Sequence, residues 1–265
     1  MNEKTKTQIV ATIGPSSRAH ETLVAMMQNG MDVARLNFSH GTHADHAELI
    51  KAIRNAANSL DLSVPIIQDL SGPRLVTSDG HHLDPNSVEV ITDKDKTDLL
   101  FGLEQKVDYI ALSFVREAAD ILTLQALIHQ AGANTPIIAK IERKEALDVL
   151  EEIIAVADGV MVARGDLGDN VPIERLPFIE RDIINIAKRH DKPVITATQM
   201  MLSMVNNPSP TRAEVTDVAY AVLLGSDAVM LSEESANGRY PVEAVSIMDR
   251  IIREAESQHT THQLV

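Results

Sequence analysis

The chain has 265 residues and carries 24 Lys and Arg against 38 Asp and Glu, a formal net charge of −14. Such acidity argues against nucleic acid and anionic membrane as partners, because their phosphates are repelled, and no run of about 18 apolar residues is present to span a bilayer. There is no cysteine, which removes disulfides, thiol nucleophiles and thiolate metal sites; the polar start lacks an apolar signal core, so a cytoplasmic protein is expected.

The first β-like run is Ile9–Gly14, closed by Pro15-Ser16-Ser17, and helix-period residues follow at 21–28. A strand is predicted at Asp32–Phe38, an amphipathic helix at His46–Leu60 and a third strand at Pro65–Leu70. Next come a helix near 95–106, a strand at 108–114 and a helix at 117–131. The last four pairs are Pro136–Ile141 with 144–156, Gly159–Val162 with 176–189, Pro193–Thr198 with 211–223, and Ala228–Ser232 with 241–256.

Strands alternating with helices of this length imply parallel βαβ units. Eight units in 265 residues, roughly 33 each, match the arithmetic of a (β/α)8 TIM barrel. No Gly-x-Gly-x-x-Gly follows the first strand, so a doubly wound dinucleotide-binding sheet has no support. A single barrel over 1–265 is expected, with its chemistry at the C-terminal ends of the strands. One connection is out of proportion: Ser71 to about Asp93 is irregular and rich in Gly, Pro, Asp, Asn and His. Loops of unusual length are often functional. His81 and His82 stand on this one, where solvated loop residues are the simpler reading.

Side chains two apart on a strand share a face. The second strand therefore groups Arg35, Asn37 and Ser39, and the third ends at Asp69. The fifth groups Lys140 with Glu142, the sixth runs into Arg164-Gly165-Asp166, and the seventh ends at Thr198. Lys and Arg inside apolar strands are costly unless paired. Charged residues gathered at barrel strand ends read as an active site rather than as unrelated ion pairs. Glu142 and Asp166 are hard oxygen ligands suited to Mg²⁺ or Mn²⁺, with positions left open for substrate. Lys140 and Arg35 supply fixed positive charge for an anionic substrate or a developing oxyanion. Gly165 lets backbone N–H groups approach a carboxylate, and Thr198 offers a hydroxyl for proton relay. A small 2-oxo acid chelating a divalent metal fits all of these; zinc is not expected, since no His sits at a matching strand end.

Seven stretches, taken in order, carry a resemblance. They are Ile9-Val-Ala-Thr-Ile-Gly-Pro-Ser-Ser17, Val33-Ala-Arg-Leu-Asn-Phe-Ser-His-Gly41, Ile110-Ala-Leu-Ser-Phe-Val-Arg116, Ala139-Lys-Ile-Glu142, Ala163-Arg-Gly-Asp-Leu-Gly168, Ala197-Thr-Gln-Met200 and Pro208-Ser-Pro-Thr-Arg-Ala-Glu214. Over nearly its whole length the chain resembles the pyruvate kinase family. The resemblance implies a barrel of the phosphoenolpyruvate/pyruvate-binding type, with metal binding by Glu142 and Asp166. It also implies that Lys140 steadies enolate and phosphoryl group, that Arg35 holds phosphate, and that the backbone of Gly165 and Asp166 takes the substrate carboxylate. Thr198 falls in the implied proton path. Asn37, Ser39 and Asp69 resemble the family's monovalent-cation site, and Arg74 stands where members that need K⁺ carry an acid. A guanidinium there implies that K⁺ is dispensable. Association into a homo-oligomer through barrel faces is a further implication of the resemblance.

The departures shape the expected activity. Family members insert a lid domain after the third strand, replaced here by the connection at about 71–93, and carry a C-terminal regulatory domain beyond the point where this chain ends. Val76 stands where the family has an arginine for nucleotide phosphate. In Ser232-Glu-Glu-Ser-Ala-Asn-Gly238, Glu233 replaces a glycine and Asn237 a lysine, and Asp169-Asn170 replaces an apolar-acidic pair. Phosphoryl transfer needs a clamped nucleotide and excluded water. The expectation is therefore an enzyme that keeps enolate chemistry and loses the kinase step: a C–C lyase, by aldol chemistry or oxaloacetate-type decarboxylation. The alternatives are a minimal true pyruvate kinase and a non-catalytic module that binds phosphoenolpyruvate or pyruvate.

Overall fold

The computed structural model describes residues 5–77, 80–84, 87 and 89–261. Its strands are β1 (Gln8–Thr12), β2 (Met31–Asn37), β3 (Ile66–Asp69), β4 (Arg74–Thr77), β5 (Gly80–Leu83), β6 (Tyr109–Leu112), β7 (Ile137–Ile141), β8 (Gly159–Ala163), β9 (Val194–Ala197) and β10 (Ala228–Leu231). Eight of them close a parallel barrel in the order β1-β10-β9-β8-β7-β6-β3-β2, with helices between them: the expected (β/α)8 fold. Every barrel strand lies within two residues of the bounds expected from sequence. β7 and β8 are buried at every position, as parallel strands covered on both faces must be, which is why they read as continuous apolar runs.

The chain divides into two compact units. The first comprises residues 1–35, 49–65 and 193–265. In it Val10 of β1 lies opposite Val33 of β2 and Met230 of β10. Helices α1 (His20–Gln28), α9 (Arg212–Leu223) and α11 (Pro241–Thr261) belong to this unit, as does most of α2 (His43–Ser59). Ala244, Val245, Met248 and Ile252 form the buried stripe of α11 at helical spacing, packed on α1 and α9.

The second unit comprises residues 36–48 and 66–192. It holds β3, β6, β7 and β8 with helices α3 (Asp93–Glu104), α4 (Ala118–Gln130), α5 (Lys144–Asp148), α6 (Leu150–Val156), α7 (Arg164–Asn170) and α8 (Leu176–Arg189). Helix α8 buries Ile179, Ile183, Ile184 and Ala187 on one stripe. Helix starts are fixed by capping boxes: Thr92 Oγ1 accepts the Asp95 N–H at 3.1 Å ahead of α3, and Thr211 Oγ1 accepts the Glu214 N–H at 3.2 Å ahead of α9.

One device recurs four times at the strand starts. The Asp32, Asp108, Asp158 and Asp227 carboxylates accept the N–H groups of Ile9, Ile66, Ile137 and Val194 at 2.8–2.9 Å. Each aspartate stands at the beginning of the strand neighbouring the one it caps. An otherwise orphaned edge N–H is satisfied, and the register between neighbours is pinned at the end of the strands away from Lys140 and Glu142.

Two differences from the sequence reading stand out. The irregular stretch at Ser71–Asp93 contains an antiparallel hairpin, β4 with β5, pairing Arg74 with Leu83 and Thr77 with Gly80. The two residues that join these strands, Ser78 and Asp79, lie outside the described residues. His81 and His82 fall on β5, and their side chains lie outside the described residues. The helix expected at 144–156 is two, α5 and α6, because Val149 leaves helical geometry at φ −126° and ψ 27°. Among the described residues no helix is long and apolar enough to cross a membrane.

Candidate active site

The centre of the site is Lys140, the fourth residue of β7, buried to 4% exposure. A buried ammonium needs polar partners: it donates to two oxygens and is ion-paired to a third. Nζ lies 3.0 Å from Asp69 Oδ1, 2.6 Å from Ser113 Oγ and 2.9 Å from Glu142 Oε1. Asp69 ends β3, Ser113 follows β6, and Glu142 follows β7, so neighbouring strands deliver all three at their C-terminal ends. Ser113 Oγ donates in turn to the Leu70 carbonyl at 2.8 Å.

Glu142 is 1% exposed. Burial pushes its carboxyl above the usual carboxylate range; Lys140 opposes that shift and Asp166 reinforces it. Its Oε2 accepts the Phe114 N–H at 2.7 Å. Phe114 holds that N–H in place from a left-handed backbone, φ +59°, a conformation that costs a bulky residue of order 1–3 kcal/mol. Gly72, also left-handed at φ +67°, makes the room: a Cβ there would come within 2.8 Å of Phe114 Cδ2. The ring of Phe114 carries the Arg74 guanidinium 4.6 Å above its centre.

Arg74 opens β4 and reaches across to the carboxylates. Its Nη2 is 3.3 Å from Asp166 Oδ2 and 3.8 Å from Glu142 Oε1, while Nε donates to the Ser71 carbonyl at 3.0 Å. Asp166 lies in the first turn of α7, its side chain 30% exposed. Asn170, one turn on, donates to the Asp166 carbonyl at 2.7 Å and to the Glu142 carbonyl at 3.3 Å, tying the backbones of the two acids together.

The structure thus gathers Asp69, Arg74, Lys140, Glu142 and Asp166. The residues grouped by resemblance as a cation site are divided among different contacts. Asp69 meets Lys140, Arg74 meets Glu142 and Asp166, and Asn37 Oδ1 accepts the Ser39 N–H at 3.1 Å. Ser113 and Phe114 were not singled out from sequence, and Asn170 entered only as part of a departure from the family. The first two lie inside the stretch Ile110–Arg116, whose match to the family was the only signal for them.

Glu142 and Asp166 suit a divalent cation. Glu142 Oε1 is buried and receives no hydrogen bond of good geometry despite two nearby cations, so it keeps lone pairs for a metal. Asp166 presents a second hard oxygen that solvent and substrate can reach. Among the described residues no cluster of three or more His, Asp or Glu surrounds such a position; a two-carboxylate site that shares its ion with substrate oxygens needs none.

Arg35 and Thr198 belong to the first unit. Arg35, 8% exposed, donates from Nη1 to Thr12 Oγ1 at 3.0 Å, and Thr12 Oγ1 donates to the Leu231 carbonyl at 2.9 Å. Thr198, just past β9, is left-handed at φ +69°, as is Gln199 at +55°. Such a backbone is an outlier for a β-branched residue and persists only where its surroundings hold it. Glu234 ties down the chain just beyond: one oxygen accepts the Met201 N–H at 3.0 Å, the other the Ser232 N–H at 2.8 Å. Burial pushes the Glu234 carboxyl up, against these two bonds. Replacing it with alanine leaves two buried donors unpaired at about 1–3 kcal/mol each. Glu234→Ala is accordingly expected to cost about 2–5 kcal/mol, and Glu234→Gln less because one acceptor survives. Urea unfolding followed by far-UV circular dichroism measures both.

Comparison with known proteins agrees with this arrangement. The family model for the pyruvate kinase barrel domain matches residues 4–85 and 84–245. The chain is 40% identical to pyruvate kinase 2 of Synechocystis sp. and 37% identical to pyruvate kinase of Geobacillus stearothermophilus, covering 96% of this chain and 57% of each relative. Pyruvate kinase of Clostridium acetobutylicum is 34% identical over 96% of this chain and 71% of its own length. The chain thus spans little more than half the length of the first two. The aligned span with the Synechocystis protein, 337 residues, exceeds the 265 of the chain, so that relative carries residues with no counterpart here.

These relatives overturn the expected C–C lyase. At 34–40% identity over 96% of the chain they are named pyruvate kinases. The lyase reading rested on departures from the family at Val76, Glu233, Asn237 and the short third connection. A fixed ammonium suits phosphoryl transfer as well as it suits an enolate, so these departures were no argument against the kinase. By sequence match and barrel alike, the chain belongs to the pyruvate kinase family.

Proposed function

We propose that the chain is a phosphotransferase of the pyruvate kinase type, moving the phosphoryl group of phosphoenolpyruvate to ADP. The observation that carries the reading is the buried Lys140 ammonium, ion-paired to Asp69 and Glu142 beside Asp166. In the reaction an ADP phosphate oxygen attacks the phosphorus, the enol O–P bond breaks, and its electron pair remains as an enolate. The enolate methylene carbon then takes one proton to give pyruvate. Negative charge thus moves onto the enol oxygen while the phosphoryl group is in flight. A fixed, desolvated ammonium is worth most at such a place. Lys140 supplies it without reorganising, since Asp69, Ser113 and Glu142 hold it. Arg35 binds the phosphoryl group in this reading, and the backbone of Gly165 and Asp166 orients the substrate carboxylate. Thr198, left-handed at φ +69°, hands on the proton in this reading. Mg²⁺ or Mn²⁺ held by Glu142 and Asp166 would neutralise charge shared by phosphoryl and enolate oxygens. A cytoplasmic location goes with the reading.

ATP formation from phosphoenolpyruvate and ADP with Mg²⁺, read by luminescence, tests it. Expected is turnover that requires phosphoenolpyruvate and disappears in Glu142→Gln. Absence of ATP from folded protein at saturating substrates overturns the reading.

A further inference from the structure

Arg74 takes no part in the steps above, yet it touches both acids assigned to the metal. Its guanidinium is anchored on one side by the Ser71 carbonyl and the Phe114 ring. The opposite end, Nη2, faces Asp166 at 3.3 Å and Glu142 at 3.8 Å. Tight charge-assisted hydrogen bonds run to about 2.7–2.9 Å, so this contact acts by charge more than by strong bonding. Without it Asp166 would lose this ion pair, and the buried Glu142 would lose one of the two cations beside it. With a divalent cation also present, the same oxygens would hold more positive charge than they can balance.

We propose that Arg74 is a built-in counter-ion for Glu142 and Asp166, which a divalent cation must displace in order to bind. The proposal rests on the reading that these two carboxylates hold the metal. Arg74 is a positioning residue here: it sets metal affinity, and so the metal concentration at which the site works. The guanidinium is a rigid plane, so the exchange turns it as a whole over the Phe114 ring, away from the carboxylates, and loosens the Nε bond to the Ser71 carbonyl.

Titration of the full chain with Mn²⁺ alone, read as loss of the free-ion electron paramagnetic resonance signal, tests the exchange without substrate or turnover. Arg74→Met keeps an apolar stem against Phe114 and removes the charge. Its Mn²⁺ dissociation constant is expected to fall at least tenfold. Arg74→Lys keeps a compact, more strongly hydrated charge without the planar fork and is expected to lie between Met and wild type; it carries the test if Arg74→Met fails to fold. Glu142→Gln is expected to lose the ion in both backgrounds. Wild-type or weaker affinity in the Arg74 variants, with Glu142→Gln still losing the ion, overturns the counter-ion and leaves the metal reading standing. Unchanged binding in Glu142→Gln and Asp166→Asn alike overturns the metal reading itself.

Discussion

Lys140→Met should lower turnover by about a thousandfold or more, the scale of losing a preorganised charge at a developing oxyanion. It should also weaken the fold. The ammonium lies 3.0 Å from Asp69 and 2.9 Å from Glu142, both 1% exposed. Removing one partner of a buried ion pair leaves an uncompensated charge and costs about 3–5 kcal/mol. The sign of the pH dependence follows. Burial already raises the Glu142 carboxyl above 4.5 in the folded chain, with Lys140 pulling it back. Without that cation the folded carboxyl binds its proton at still higher pH, while the unfolded one does not. The variant therefore regains stability as pH falls from neutral toward about 4.5. Two further variants separate chemistry from folding. The double variant Lys140→Met/Glu142→Gln removes both charges of the closest pair and should recover much of the lost stability but none of the activity. Lys140→Arg keeps a charge with the wrong shape for three converging oxygens, and should fold better than it turns over. Rate loss that tracks stability across all three would assign Lys140 to structure alone.

How far the sequence carries depends on whether a contact follows from local periodicity. Lys140 and Glu142 were brought together by strand alternation, and Asp69 and Thr198 were placed at strand ends by the run of β-branched residues before them. The structure has them at or just beyond those ends. Arg74 was assigned by resemblance to a monovalent-cation site; the sequence did not show that its side chain lies against Glu142 and Asp166. That contact depends on the pairing of β4 with β5, which no period in so short a segment encodes. Phe114 is less legible still. Nothing in composition marks a phenylalanine that turns left-handed to aim its N–H at a buried acid; the requirement surfaces at Gly72, where a Cβ would strike the ring. The misjudged activity has a similar origin. Val76 and Glu233 were visible departures from the family, and their cost was set above the agreement of a whole buried cluster.

The second large effect concerns what holds Asp166 in place. Arg164 begins α7 and Glu180 lies on α8; both are buried, with Nη1 3.3 Å from Oε2. The pair fastens the short helix that carries Asp166 to a helix seated in the core by Ile183 and Ile184. Glu180→Ala removes a buried charged partner of the guanidinium and should cost about 3–5 kcal/mol, with Arg164→Met close to it. The double variant Arg164→Met/Glu180→Leu should recover most of that loss, since two well-packed apolar side chains commonly replace a buried pair at little cost. The cycle then gives the coupling directly from urea midpoints. If Glu180→Ala changes stability by less than about 0.5 kcal/mol, the value of an ordinary surface substitution, the pair is not the fastening. Function divides the remaining cases. Should the double variant regain stability but bind Mn²⁺ more weakly, the ion pair serves to orient α7 rather than to hold it. Should it regain both, apolar packing orients Asp166 equally well, and the charges are dispensable to the site.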